Sequence, residues 1–292
     1  MVDILKIIIP TFIVVLIGYL LGKTRKIDMT AIVEIVFYIG LPALAFTSVT
    51  DKTIVLLDAS KIWASALLIM FGCGIIAWLV FKILRQKHSG LYLPIMEMNT
   101  VNIPFPIIYL AYGAEGLFAA TLFYIPNMIC LFSIGIFIAS GGHWKDGLKN
   151  VLKVPALYAA VAGLVVNFGH ITVPDLVVKS LNLIGPMTIP LVLLILGFNL
   201  STVRLQSLST TLLASFLRVG VGLALGFLVA NLFHLTGILK AVVILDSAMP
   251  AAANSAMLAT KYKNEAELVS SVVFVTTIAS LVIIPFLLSI LK

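Results

Sequence analysis

Glu97-Met98-Asn99-Thr100-Val101-Asn102-Ile103-Pro104-Phe105-Pro106 and Asp246-Ser247-Ala248-Met249-Pro250-Ala251-Ala252-Ala253-Asn254 are two short, proline-broken stretches, one in each half of the chain. Both sit inside otherwise apolar segments. They put carboxylates, amides and helix breakers where a hydrophobic span should have none. Bilayer hydrocarbon cannot hydrogen-bond a freed backbone group, so such breaks persist only where they line a cavity or a binding site. A matched pair in the two halves is the pattern of a transporter that binds its substrate between the repeats.

The rest of the chain agrees with a membrane setting. Of 292 residues, 61% are hydrophobic and 11% charged, and the mean hydropathy is +1.17. Apolar runs of about 20 residues, enough to cross roughly 30 Å of hydrocarbon, recur along its whole length. Ten spans are predicted, at 4–22, 28–49, 62–83, 91–112, 115–139, 155–169, 175–200, 210–233, 238–259 and 266–290. The first is read as a retained helix rather than a secretory leader, because Gly22-Lys23-Thr24-Arg25-Lys26 follows where small cleavage-site residues would stand. Cys73 and Cys130 both fall within spans and are read as packing residues, not as a disulfide framework or a metal site.

The net charge of +7 is spread between the spans in twos and threes, which points away from nucleic acid and toward membrane orientation. With the N-terminus outside, twelve Lys and Arg fall in inner loops and six in outer ones. Arg218 lies inside a span. Short loops rich in Lys and Arg stay cytoplasmic, so both termini are expected outside a cytoplasmic membrane.

An internal repeat orders the spans. Tyr112-Gly113-Ala114-Glu115-Gly116 recurs as Tyr262-Lys263-Asn264-Glu265-Ala266, displaced by 150 residues, and Leu41-Pro42 loosely matches Ile189-Pro190. Each half holds five spans, an odd number, so the second enters from the opposite side. The expected fold is therefore all-α: ten transmembrane helices in a 5+5 inverted repeat with broken, crossing helices 4 and 9. The expected units are 1–142, a cytoplasmic linker at 143–154, and 155–292.

At the breaks, each proline lacks the N–H that would bond the carbonyl four residues earlier. Pro104, Pro106 and Pro250 are thus expected to free the carbonyls of Thr100, Asn102 and Asp246. Each half-helix that restarts is expected to aim unpaired N–H groups and a positive dipole end at the crossover, which suits an anion. Asn99, Asn102 and Asn254 are the candidate amide donors to a carboxylate, and Asn127, after Pro126, can face the same cavity or bond a neighbouring helix. Asp246 is the candidate for coupling to a proton or sodium ion. Arg218 is read either as its partner or as snorkelling toward the headgroups. Glu97 is read as solvated at a cavity mouth, and Glu34 as interfacial.

Taken together, these motifs resemble the auxin efflux carrier family, which includes the plant PIN auxin exporters and bacterial relatives assigned to malate or malonate transport. The resemblance rests on Asn99 to Pro106, on Thr188 to Leu200 with its Leu196-Gly197-Phe198-Asn199-Leu200 ending, and on Ala248-Met249-Pro250 followed by Ala259-Thr260-Lys261-Tyr262 and Leu268-Val269-Ser270-Ser271. The chain departs from the plant carriers in Asn254, where they have a second proline, in the extra Pro104, and in lacking a long central loop.

The resemblance implies a fold related to sodium–bile acid symporters. Spans 1, 2, 6 and 7 would be a scaffold, spans 3–5 and 8–10 a moving transport domain, and the chain a homodimer through the scaffold. The function expected is secondary transport of small organic anions, mono- or dicarboxylates and auxin-like acids, by an elevator motion. An anion channel or membrane receptor using the same polar crossover is the alternative. No enzyme motif, cofactor or metal site is expected, apart from H+ or Na+ as a coupling ion.

Overall fold

The computed structural model describes residues 2–50, 56–141 and 154–291, and among them every regular element is helical. Most of the predicted linker at 143–154 lies outside the described residues. In chain order the helices are α1 (Val2–Thr24), α2 (Thr30–Ile35), α3 (Leu41–Thr50), α4 (Leu56–Ile83), α5 (Tyr92–Met96), α6 (Pro104–Cys130) and α7 (Ile136–Ala139). They continue as α8 (Pro155–Phe168), α9 (Asp175–Ile184), α10 (Thr188–Leu200), α11 (Leu208–Leu232), α12 (Gly237–Ser247), α13 (Ala253–Tyr262) and α14 (Ala266–Leu291). Single π-helical turns join α2 to α3 and α6 to α7, and a 3-10 turn joins α9 to α10.

Six continuous helical stretches are long and apolar enough to cross a bilayer: Thr30–Thr50, Leu56–Ile83, Pro104–Ala139, Asp175–Leu200, Leu208–Leu232 and Ala266–Leu291. Ile8–Thr24 and Pro155–Phe168 are shorter apolar helices. Apolar side chains such as Trp78, Phe216 and Leu228 stand exposed on the outer faces of these helices, the surface that lipid covers.

The predicted fourth and ninth spans are each interrupted. α5 stops at Met96 and helix resumes only at Pro104, and α12 stops at Ser247 with helix resuming at Ala253. The fourth and fifth predicted spans run together in one helical stretch, broken in conformation at Gly113, whose φ of 65° and ψ of −154° are non-helical. Glycine alone takes such a backbone without a Cβ clash. At the corresponding point of the second half, Lys263 ends α13 with a left-handed φ of 54°. The ends of α4 and α11 match in the same way. Arg85 and His234 are both left-handed, and the residue after each donates its N–H back across the last turn, Gln86 to Phe81 and Leu235 to Ala230, both at 2.9 Å.

Packing divides the helices into two sets. α1 lies along α10 and α3 along α8, with Asn167 Nδ2 donating to the Val49 carbonyl at 2.8 Å. α4, α6, α11, α12, α13 and α14 pack mainly on one another. The first pairing depends on glycines: a Cβ at Gly18 would strike the backbone of Leu194, and one at Gly197 the backbone of Val15 and Tyr19. Small residues at such crossings let two helices in lipid approach to backbone contact. Gly197→Leu is therefore expected to cost about 1–3 kcal/mol by overpacking, read as a lowered Tm of detergent-purified protein. An unchanged Tm would mean that α1 and α10 do not meet there.

Candidate functional site

The two breaks cross and pair. Met98 and Ala251 form an antiparallel bridge, with Asn99 N–H donating to the Pro250 carbonyl at 2.8 Å and Ala252 N–H to the Glu97 carbonyl at 2.9 Å. Each interruption thus takes up part of the hydrogen bonding the other has lost, which buried backbone in a membrane requires. Thr276 of α14 accepts the Ala251 N–H at 3.1 Å, and the Asn99 Oδ1 accepts the Asn102 N–H at 2.9 Å.

Arg218 closes the other side of the crossing. It is 0% exposed, and its Nη1 donates to the carbonyls of Ile95 and Met96 at 3.0 and 3.3 Å, while Nη2 donates to that of Ser247 at 2.6 Å. One guanidinium therefore caps the C-termini of both α5 and α12, where unpaired carbonyls and the negative dipole ends converge. This corrects both readings of Arg218 from sequence, since it neither pairs with Asp246 nor reaches the headgroups. Gly222 and Gly226, four residues apart on α11, make room: a Cβ at Gly222 would strike the Arg218 guanidinium and the Ser247 carbonyl, and one at Gly226 the Ser247 hydroxyl. That glycine spacing in an apolar helix was legible in the sequence and passed over, as was Thr276.

The crossing opens into a cleft with about 550 Å³ of space inside it and at its mouth. All four predicted amides, Asn99, Asn102, Asn127 and Asn254, line it, joined by Glu97, Thr100, Tyr124 and apolar residues of the α2–α3 and α6–α7 segments such as Phe37 and Phe132. Asn99 Nδ2 and Asn127 Oδ1 have no hydrogen-bond partner among the described residues, and Asn127 Nδ2 donates to its own helix at Phe123. The alternative reading of Asn127 as a bond to another helix is replaced by this one.

Three further expectations change. The Asp246 carbonyl is not free, because it accepts the Met249 N–H at 3.2 Å. Asp246 itself is 0% exposed, both its carboxyl oxygens lack partners among the described residues, and it is not among the residues lining the cleft. Glu97 is 2% exposed and is a wall of the cleft rather than a solvated group at its mouth.

The two restarting helices also differ. In α6, Pro104 and Pro106 have no N–H, and those of Phe105 and Ile107 go to Val101 and Ile103 at 3.2 and 3.4 Å. In α13 no side chain caps the N-terminus, and the N–H groups of Ala253 and Asn254 have no partner among the described residues. Of the two restarting helices, α13 is the one whose first amides are free, and both residues line the cleft.

A model of the membrane transport protein family, the auxin efflux carriers whose motifs the sequence resembles, matches residues 3–146 and 144–288. The chain belongs to this family. Over 296 residues it is 27% identical to an uncharacterized transporter of Methanocaldococcus jannaschii, covering 96% of each chain. It is 26% identical to an uncharacterized transporter of Methanothermobacter thermautotrophicus over 294 residues, 95% of each. This is a multi-pass membrane transporter, and the family points away from an enzyme.

Losing the Arg218 cap should cost the transporter about 1.5–3 kcal/mol for each charge-assisted bond removed. Arg218→Met is expected to lower the Tm well below that of Arg218→Lys, which keeps a donor at the same place. Equal melting of both variants and the parent would show that the carbonyls find other partners.

Proposed function

We propose that this protein is a secondary transporter moving small organic anions, mono- or dicarboxylates with auxin-like acids among them, across the cytoplasmic membrane by elevator-type alternating access. The substrate carboxylate binds in the cleft at the crossing. The observation that carries the reading is that this one cleft gathers all four asparagines and the uncapped N-terminus of α13. An unpaired Asn99 N–H pair and two free backbone N–H groups at a positive dipole end form a recognition surface for a carboxylate. Pro104, Pro106 and Pro250 serve the site by keeping the two breaks from closing into continuous helix.

The architecture proposed with it is ten spans in a 5+5 inverted repeat, 1–142 and 155–292, joined by a cytoplasmic linker at 143–154, with both termini outside. Positive φ at matching positions, Arg85 with His234 and Gly113 with Lys263, supports the repeat. So does the antiparallel bridge between the breaks, since that pairing suits a two-fold relation. The separate packing of α1, α3, α8, α9 and α10 supports a scaffold against which the remaining helices slide. A homodimer through that scaffold completes the proposal on family grounds. Coupling to a proton or sodium ion belongs to the same reading, and the crossing holds two buried carboxyls, Asp246 and Glu97, that can serve it.

Solid-supported-membrane electrometry on proteoliposomes tests this, pulsing malate, malonate, oxalate, pyruvate and indole-3-acetate with and without sodium. A saturable current for one of them is expected. In an Asn102→Ala/Asn254→Ala variant, loss of two amide contacts should reduce apparent affinity by about tenfold or more. Currents that never saturate would favour a channel, and silence in both electrometry and radiotracer counterflow would end the carrier reading.

A further inference from the structure

Among the described residues, Glu97 is the only charged one that lines the cleft. It shares the cleft with Asn99, Asn102, Asn127 and Asn254, all neutral, and its carboxyl has no hydrogen-bond or ion-pair partner among the described residues. The buried Arg218 is committed to three backbone carbonyls and is not part of the cleft wall. A carboxylate substrate seated against the Asn99 amide and the start of α13 would therefore face one ionised carboxylate across a site poor in water. Two like charges at that range are costly in a low dielectric, and a proton removes the cost.

We propose that Glu97 carries the coupling proton: it is protonated when the anion binds and releases the proton when the anion leaves, making transport an anion–proton symport. This rests on the carrier reading above. The proton comes from water on the loading side, occupies one carboxyl oxygen of Glu97 during the crossing, and returns to water on the far side with the anion. No bond other than that O–H forms or breaks. Protonated, Glu97 is neutral and offers an O–H donor to the substrate, so the repelling group becomes a ligand. A proton requires only the carboxyl itself.

The groups around Glu97 fit this assignment. From α11 the Arg218 charge reaches it, and from α6 the Cys130 thiol lies within its field. Tyr124 of α6 also lines the cleft, with its hydroxyl donating to Met128 Sδ at 2.9 Å. The α13 residues on the cleft wall bring no ionisable side chain, and neither do those of the α2–α3 segment. Asp246 on α12 is outside the cleft and cannot exchange contact with a substrate there.

The test uses full-length protein in proteoliposomes with a trapped pH dye, and radiolabelled malate, malonate, oxalate, pyruvate and indole-3-acetate as probes, with protein-free vesicles subtracted. The parent is expected to move one of these by counterflow, to acidify the lumen as that anion enters, and to accumulate it on an inward acid gradient without sodium. Because the bound state holds the extra proton, apparent affinity should fall as pH rises, by up to about tenfold per unit for one linked proton.

Glu97→Gln, which mimics the protonated group, should lose acidification, gradient-driven accumulation and the pH slope together, while counterflow, which needs no net proton movement, persists with an altered apparent affinity. Glu97→Asp should keep acidification, and Asp246→Asn should leave the coupled proton in place. Acidification that survives in Glu97→Gln, or that disappears in Asp246→Asn alone, would overturn the assignment. So would counterflow in the parent with no proton movement, or with sodium required. Loss of counterflow in both Glu97 variants, with Tm unchanged, would make Glu97 a group required for binding itself rather than the carrier of the coupled proton and would equally overturn the assignment. No counterflow in the parent would sink the carrier reading itself, a result distinguishable from all of these.

Discussion

Everything at the centre of this protein follows from one constraint: a helix interrupted inside a bilayer must find partners for the backbone groups it exposes. The two interrupted spans answer it by crossing. Asn99 and Ala252 give their N–H groups to the carbonyls of Pro250 and Glu97, and Arg218 collects the carbonyls of Ile95, Met96 and Ser247. Removing any of these leaves polar backbone buried and unpaired, where there is no water to replace it. The crossing is therefore both the weakest point of the helix pattern and the most heavily hydrogen-bonded junction in the molecule's core. Glycines 222 and 226 on α11 are the steric condition for it, since they let the end of α12 and the guanidinium occupy the same face.

That arrangement also polarises the cleft. Both C-terminal dipole ends are turned to a fixed guanidinium, while the dipole end left open to the cleft is the N-terminus of α13. The proline pair in α6 removes the N–H groups that would have made the first half its equal. The cleft is therefore asymmetric: one side presents the first N–H groups of α13, the other presents Glu97 and the Asn99 amide.

The alternating access proposed for this protein requires that one set of helices move against another. The contacts fall into two groups, with α1 and α10 locked through Gly18 and Gly197, α3 against α8, and the crossing helices held together by Arg218 and the paired breaks. Interactions are dense within each group, and the cleft lies where they meet, with Phe37 and Leu41 on one side and the crossover on the other. A substrate held there touches both.

The amino-acid sequence by itself determined the membrane setting, the all-helical class, the two breaks and the four asparagines, because hydropathy and proline act locally and leave a mark within a few residues. Asn99, Asn102, Asn127 and Asn254 meet in one cleft as their placement beside the breaks suggested. The roles of the charged residues were decided only by tertiary structure. Arg218 reads in sequence as a partner for Asp246 or an anchor at the headgroups, and it became a cap on two helices because α11 passes behind the crossing. In sequence Asp246 reads as the coupling carboxyl and Glu97 as a solvated group at a cavity mouth, yet Glu97 lines the cleft while Asp246 is sealed away from it. A charge acts on whatever lies within a few ångströms of it, and those neighbours come from helices more than a hundred residues apart, a distance no local pattern can report.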